Sequence, residues 1–314
     1  MAPSQAVVFA ATQPPPSPTP LPINGFSTAP LHLTPQEIAL NNEKQQLANE
    51  YMTVLQGNVP LSVYEQHMIA YMNKYHLGNT ANIHKVLTSS KAAKAQAVAQ
   101  MTSSGVKPNN SNPTGSAQFP EEKGNWCGNA AVSTILVEDS FQWSGTNLNG
   151  NNVLRYNPYA TSQSTLTATS DESMLAANYF GNSSNNAGVD PGPMNTVLNQ
   201  FVNGNGGNYN PSSNTGNFQS DMVTDINQGW DLADGISIQP VGTYESRLFG
   251  YAYGTYISHW LPITYYGSGG ATTYYADPVY KSPDYPTSNG WNVSGPYRPM
   301  TTTSLMQYTF VFIW

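Results

Sequence analysis

Helix and strand breakers divide this chain into blocks before any fold is considered. Prolines crowd residues 13–30, beginning QPPPSPTPLP, and residues 103–117 read SSGVKPNNSNPTGSA. Proline fixes φ and removes an N–H donor, so such runs stay extended or looped. Residues 1–30 are therefore expected to be a disordered Pro-rich segment, 31–102 a helical region, 103–117 a linker, and 118–314 a single larger domain.

The helical block opens on a capping box. Thr34 is a good cap, Pro35 suits the first helical position, and Glu37 stands three residues after the cap. Leu40, Leu47, Tyr51, Val54 and Leu55 recur at helical spacing, and Gly57 closes the run. A second helix is expected over 62–76, with Tyr64, His67, Met68, Tyr71, Met72 and Tyr75 on one face and Gly78 beyond it. A weaker, Ala-rich third helix covers about 83–101.

After residue 118 the texture changes. Residues 127–139 look helical, 140–218 are rich in Asn, Gly and Ser with short helices near 171–180 and 193–201, and a helix at 218–228 leads into strands near 235–239, 259–266, 272–276 and 308–313. Helices followed by an antiparallel sheet give an α+β class for this part.

Charged residues make up 9% of the chain, the net charge is −7 and the pI about 5.1. Nucleic-acid binding needs clustered Lys and Arg, and an anionic membrane surface attracts the same groups, so neither is an expected partner. No apolar run in the sequence is long enough to span a bilayer. Low charge with many small polar residues suggests a secreted bacterial protein. Residues 6–12, AVVFAAT, read as the remnant of a removed signal peptide or as a loose start.

The single cysteine, Cys127, sits in GNWCGNAA at the start of an expected helix. Unpaired N–H groups and the partial positive charge of a helix start favour a thiolate, and a nucleophilic thiolate needs a base, usually His. His259 opens HWLPITYY, where alternate apolar residues mark a strand, and Asp277 closes YYADP on the next. The glycine-rich GSGGA between them suits a hairpin, which would bring His259 and Asp277 together. Pro262 complicates that strand, since proline belongs at an edge or bulge.

The remaining candidates are weaker. His32, His67, His76 and His84 are expected to be structural, and neither Asp171/Glu172 nor Asp231/Asp234 stands out from commonplace acidic pairs that a glycosidase would also need. No zinc-helix motif, phosphate loop or dinucleotide fingerprint is present, so no metal or organic cofactor is expected.

NWCGNAA followed far downstream by HW and by YYADP resembles the papain-like cysteine peptidases, and most closely the secreted relatives of the double-glycine, bacteriocin-processing peptidases. The resemblance covers roughly 118–314 and implies a papain-like domain, with a catalytic helix packed on an antiparallel sheet. It implies Cys127 as nucleophile, His259 as base and acid, and Asp277 as the orienting carboxyl. Asn129 stands where that family usually has Pro. The family's oxyanion-stabilising Gln falls on Glu121, which donates only when protonated, while Gln118 has the right chemistry three residues earlier. The two remain alternatives.

The expected activity is hydrolysis of peptide bonds through a Cys-His-Asp triad and a thioester, with an accessible, reactive sulfur. The alternatives are an amide hydrolase or acyltransferase acting on cell-wall peptide or glutamine side chains, and an inactive peptide-binding module. Residues 1–117 carry six Lys and four acids, a net of +2, whereas 118–314 carry a net of −9. Opposite charge favours docking of residues 31–102 on the domain, as an inhibitory pro-region or a helical add-on.

Overall fold

The computed structural model describes residues 22–77, 119–138, 171–184, 187–202, 209–228, 230–239, 248–252, 254–293 and 297–314. The expected third helix at 83–101, the linker at 103–117, His84 and Gln118 lie outside the described residues.

The chain is α+β, with a mostly antiparallel sheet and several helices. In chain order the main elements are β1 (Ile23–Asn24), α1 (Pro35–Leu55), α2 (Leu61–Tyr75), α3 (Cys127–Glu138), α4 (Asp171–Leu175), α5 (Pro191–Val202), β2 (Pro211–Ser212), α6 (Phe218–Gln228), β3 (Leu232–Ile238), β4 (Ile257–Gly267), β5 (Thr272–Ala276), β6 (Tyr297–Thr301), α7 (Thr302–Met306) and β7 (Thr309–Ile313). A π-helical turn, Ala176–Phe180, continues α4.

The sheet order is β2-β7-β3-β4-β5-β6, all antiparallel, and β1 pairs with β4 in parallel. β4 is the axis, and all its residues are buried. On one side β3 covers Ile257–Ile263. On the other, β5 begins only at Ile263, and the register shifts between Ile263 and Tyr265. Pro262 therefore lies just outside the β5 ladder and beside a bulge, where a missing N–H is tolerated. β1 takes the far end of that same edge, at Ile257 and Ser258. Between β1 and β5 the edge of β4 is left for other contacts, and His259 stands there.

Helix α3 is buried at every position from 127 to 136, as expected for a helix that is apolar or small all round. Its Gly128 fits close against the sheet: a methyl group there would stand 2.7 Å from Val189 Cβ and 3.2 Å from Trp260 Cδ1.

The capping box of α1 is present, with Thr34 Oγ1 accepting from the Glu37 N–H and the Glu37 carboxylate accepting from the Thr34 N–H. Leu47, Ala48, Tyr51, Val54 and Leu55 face inward as the spacing predicts, whereas Leu40 is only partly buried. On α2 the expected face is corrected at His67, which is exposed and lies 2.9 Å from Glu50. That helix stops at Tyr75, because His76 takes a left-handed conformation.

These helices share one apolar cluster with the sheet and stand on α6. Lys44 Nζ lies 3.4 Å from Asp225 and 4.2 Å from the centre of the Trp314 ring, and Gln45 donates to Asp221 at 2.7 Å. Burial lowers the Lys44 pKa and pushes Asp221 up to about 8. Among the described residues no helix is long and apolar enough to cross a membrane.

Residues 22–28 correct the expectation of a disordered start. They are placed in the fold, with Ile23 and Phe26 buried, because every N–H from 23 to 27 finds an acceptor on the domain.

Removing one partner from a buried ion pair strands the other. Lys44→Ala is expected to lower stability by about 3 kcal/mol, and Lys44→Met combined with Asp225→Leu to recover most of it. Urea unfolding followed by tryptophan fluorescence measures both, and an unchanged midpoint for Lys44→Ala would refute the pair's structural role.

Candidate active site

Cys127 occupies the first position of α3 and is fully buried. The main-chain N–H groups of Gly128 and Trp260 act on its sulfur and pull its pKa down. Burial outweighs them, with help from the Glu121 and Asp277 carboxyls, and the thiol's pKa stands well above its ordinary value. The accessible sulfur expected from the sequence is therefore corrected. Gly25 lies directly over it: a methyl group on Gly25 would strike Cys127 Sγ, and would stand 2.7 Å from the Ser258 carbonyl oxygen and 3.4 Å from His259 Cα.

The β4–β5 hairpin brings His259 and Asp277 together. His259 comes three residues into β4 and Asp277 follows the last residue of β5, and the His259 Nε2 to Asp277 Oδ1 distance is 3.3 Å. Oδ1 also accepts from the Tyr251 hydroxyl at 3.1 Å and from the Val279 N–H at 3.0 Å. Burial, reinforced by Asp277, pushes the Tyr251 pKa well up, so the phenol remains a donor. The Tyr251 ring packs edge-on to the imidazole at 5.9 Å. These contacts fix which nitrogen faces the carboxyl. His259 Nδ1, the other nitrogen, is buried with no hydrogen-bond partner among the described residues.

Glu121 is wholly buried, and its N–H donates to Pro278 O at 2.9 Å, which ties it to the turn after Asp277. Neither carboxyl oxygen meets a donor at full hydrogen-bond geometry among the described residues. The Cys127 and Trp126 amides act on the group and pull its pKa down, but burial dominates, with Asp277 and Asp284 adding to it, and the pKa is raised well above normal. Glu121 is thus held toward its neutral, proton-donating form beside the start of α3. Gln118, the other oxyanion candidate, lies outside the described residues.

Asn129, two residues after Cys127, is held by hydrogen bonds. Its Nδ2 donates to Glu172 O at 3.1 Å, and its Oδ1 accepts from Asn182 at 3.1 Å. The other sequence candidates stand elsewhere. His32, His67 and His76 are exposed, Glu172 accepts from the Glu122 N–H, and Asp234 is buried in β3 where Thr309 donates to it. Among the described residues no group of three or more His, Cys, Asp or Glu is arranged to hold a metal ion.

Several groups at the site were missed by sequence reasoning. Tyr251 is one, and Asn125, Ser258, Val189 and Asp190, which bind residues 24–27, are the others. Asn125 had a signal, since it lies between Gly124 and Trp126 in the motif and takes φ +71°, a region Asn tolerates. Val189 and Asp190 had none, being in the featureless Asn- and Ser-rich stretch.

Comparison with protein-family models, with curated proteins and with solved structures finds no match to this chain, so its function is argued from the geometry of this site.

Proposed function

We propose that this protein is a cysteine peptidase of papain-like architecture, which hydrolyses peptide bonds through Cys127, His259 and Asp277. The observation that carries the reading is how the imidazole is held: Nε2 faces a carboxyl that orients it, Nδ1 is left without a partner among the described residues, and a methyl group on Gly25 would come against both Cys127 Sγ and His259 Cα.

The chemistry follows from these groups. His259 Nδ1 takes the proton from Cys127 Sγ, and the thiolate attacks the scissile carbonyl carbon. The negative charge moves to the carbonyl oxygen, where the neutral Glu121 carboxyl is the candidate donor. Nδ1–H then gives its proton to the leaving amine, the C–N bond breaks, and a thioester remains. Water attacks the thioester, His259 taking its proton and returning it to the sulfur. Asp277 holds the ring through both halves. No part of this scheme needs a metal or organic cofactor, and the low charge of the chain suits a secreted setting.

A second reading has one observation in its favour. A covered thiol with a raised pKa suits a peptide-binding module that has lost catalysis. Activity separates the two.

Because Gly25 covers the sulfur, fluorescein-labelled casein is offered to both the parent chain and Gly25→Ala. Digestion by either is expected to fall at least about 10³-fold with Cys127→Ser. No digestion by either chain would overturn the peptidase reading, and turnover of purified peptidoglycan in its place would point to the cell-wall amidase alternative.

Glu121 generates a pH prediction with two readouts. As pH rises through its elevated pKa the carboxyl loses the proton it donates, so the alkaline limb of activity should move upward in Glu121→Gln. Stability follows the same sign. The folded state holds this proton more tightly than the unfolded chain. The contribution is therefore complete below the unfolded pKa near 4.5 and shrinks as pH rises toward the folded value. Above that lower bound Glu121→Gln should gain on the parent by about 1.4 kcal/mol per pH unit. Melting temperatures from pH 4 to 8 measure it, and parallel curves would show that Glu121 is not held neutral.

A further inference from the structure

We propose that the groove beside Cys127 is an extended-peptide site whose resident occupant is the chain's own segment 22–28, bound as an inhibitor and not as a substrate. The proposal takes from the peptidase reading only that Cys127 is the group being shielded.

The segment is bound the way a peptide ligand is. Five successive N–H groups donate to the domain: Ile23 to Tyr256 O at 3.2 Å, Asn24 to Asn125 Oδ1 at 2.7 Å, Gly25 to Ser258 O at 2.6 Å, Phe26 to Ser258 Oγ at 3.3 Å, and Ser27 to Asp190 Oδ1 at 2.7 Å. In return Val189 N–H donates to Gly25 O at 2.7 Å, and Ser258 Oγ donates to Phe26 O at 2.9 Å. This is strand addition to the free edge of β4, where main-chain bonds give affinity and a few side chains give register. Ile23 and Phe26 supply the register. Both are buried, and the Phe26 ring centre lies 4.9 Å from that of Trp260.

Gly25 is dictated by its surroundings. A methyl group there would strike Cys127 Sγ, and on the opposite wall a methyl group on Gly188 would strike the Gly25 carbonyl. The chain is squeezed between the nucleophile and the 188–190 loop with no room for a side chain.

Two observations make the segment an inhibitor. The Gly25 carbonyl is engaged by Val189 and not by the donors at the start of α3. The Glu121 carboxyl, the candidate donor to a reacting carbonyl, is acted on by the Cys127 and Trp126 amides and makes no hydrogen bond to the segment. The carbonyl of the residue that covers the sulfur is therefore polarised from the 188–190 loop and not from the start of α3. The segment is also leashed, since α1 begins at residue 35 and is anchored on α6 through Lys44 and Gln45. The helices α1 and α2 thus serve as the anchor, and residues 22–28 make the contact with the site.

The test uses the full chain and reads the thiol, which requires no catalysis. Iodoacetamide should label native Cys127 slowly in the parent and roughly tenfold or more faster in Gly25→Ala, whose added methyl must expel the segment. Ser27→Pro, at an exposed position, deletes one of the five N–H donors without touching the core and should also speed labelling. A synthetic peptide of residues 22–28, PINGFST, added in trans should slow the labelling of Gly25→Ala again, and the same peptide with Ala for Gly should not. If both variants keep the parent's melting temperature and its labelling rate, the segment is not the shield and the proposal is overturned. If labelling speeds up but no casein is digested, the occupant stands and the peptidase reading fails. If the parent digests casein as fast as Gly25→Ala, the occupant proposal fails and the peptidase reading stands.

Discussion

The structure hangs on β4, a strand in which every residue is buried. A strand inside a sheet has both edges to satisfy, and a one-residue slip would turn each side chain to the other face. β3 fixes the register along one edge, with His259 opposite Ile236. The other edge is shared, β5 holding one end and β1 the other. The short unshared stretch is where His259 meets the Asp277 carboxyl and where the Trp260 amide acts on the sulfur at the start of α3. The site therefore exists because the β4–β5 ladder stops early, and it stops beside Pro262, which cannot donate to it.

Much of this was legible in the sequence because it is local. The Thr34 cap, the 218–228 helix and the 272–276 strand depend on neighbours a few residues away, and they appear as expected. The hairpin through GSGGA is also local, and it alone brings His259 to Asp277. What escaped is long-range or masked by misleading composition. β1 pairs two residues with a strand more than two hundred positions away, from within a proline-rich segment. β6 contains Pro299 opposite Tyr274, which argues against a strand until its place at the end of the sheet order is known. The buried state of Cys127 could not be read from GNWCGNAA, because Gly25, which lies over the sulfur, comes from a distant part of the chain.

Glu121 and Asp277 are neighbouring carboxyls given unlike surroundings. Asp277 Oδ1 gathers three contacts, from His259, Tyr251 and the Val279 amide, whereas Glu121 is buried without a full hydrogen bond. Burial holds the proton on Glu121 against the pull of the Cys127 and Trp126 amides, whereas Asp277 Oδ1 is placed to face the His259 ring. Glu121, which reads in the sequence as a charge, is held toward its neutral form once its burial is known.

The same cover that hides the sulfur also sets its ionisation. Desolvation is the largest cause of the raised Cys127 pKa, ahead of the nearby carboxyls, and part of that desolvation is Gly25 resting on Sγ. The opposing pull from the Gly128 and Trp260 amides comes from α3 and β4 and not from the segment. Departure of the segment would therefore do two things at once: open a path to the sulfur and remove a penalty on its thiolate. Shielding and chemical quiescence are then one contact, made where a glycine backbone is the only thing that fits.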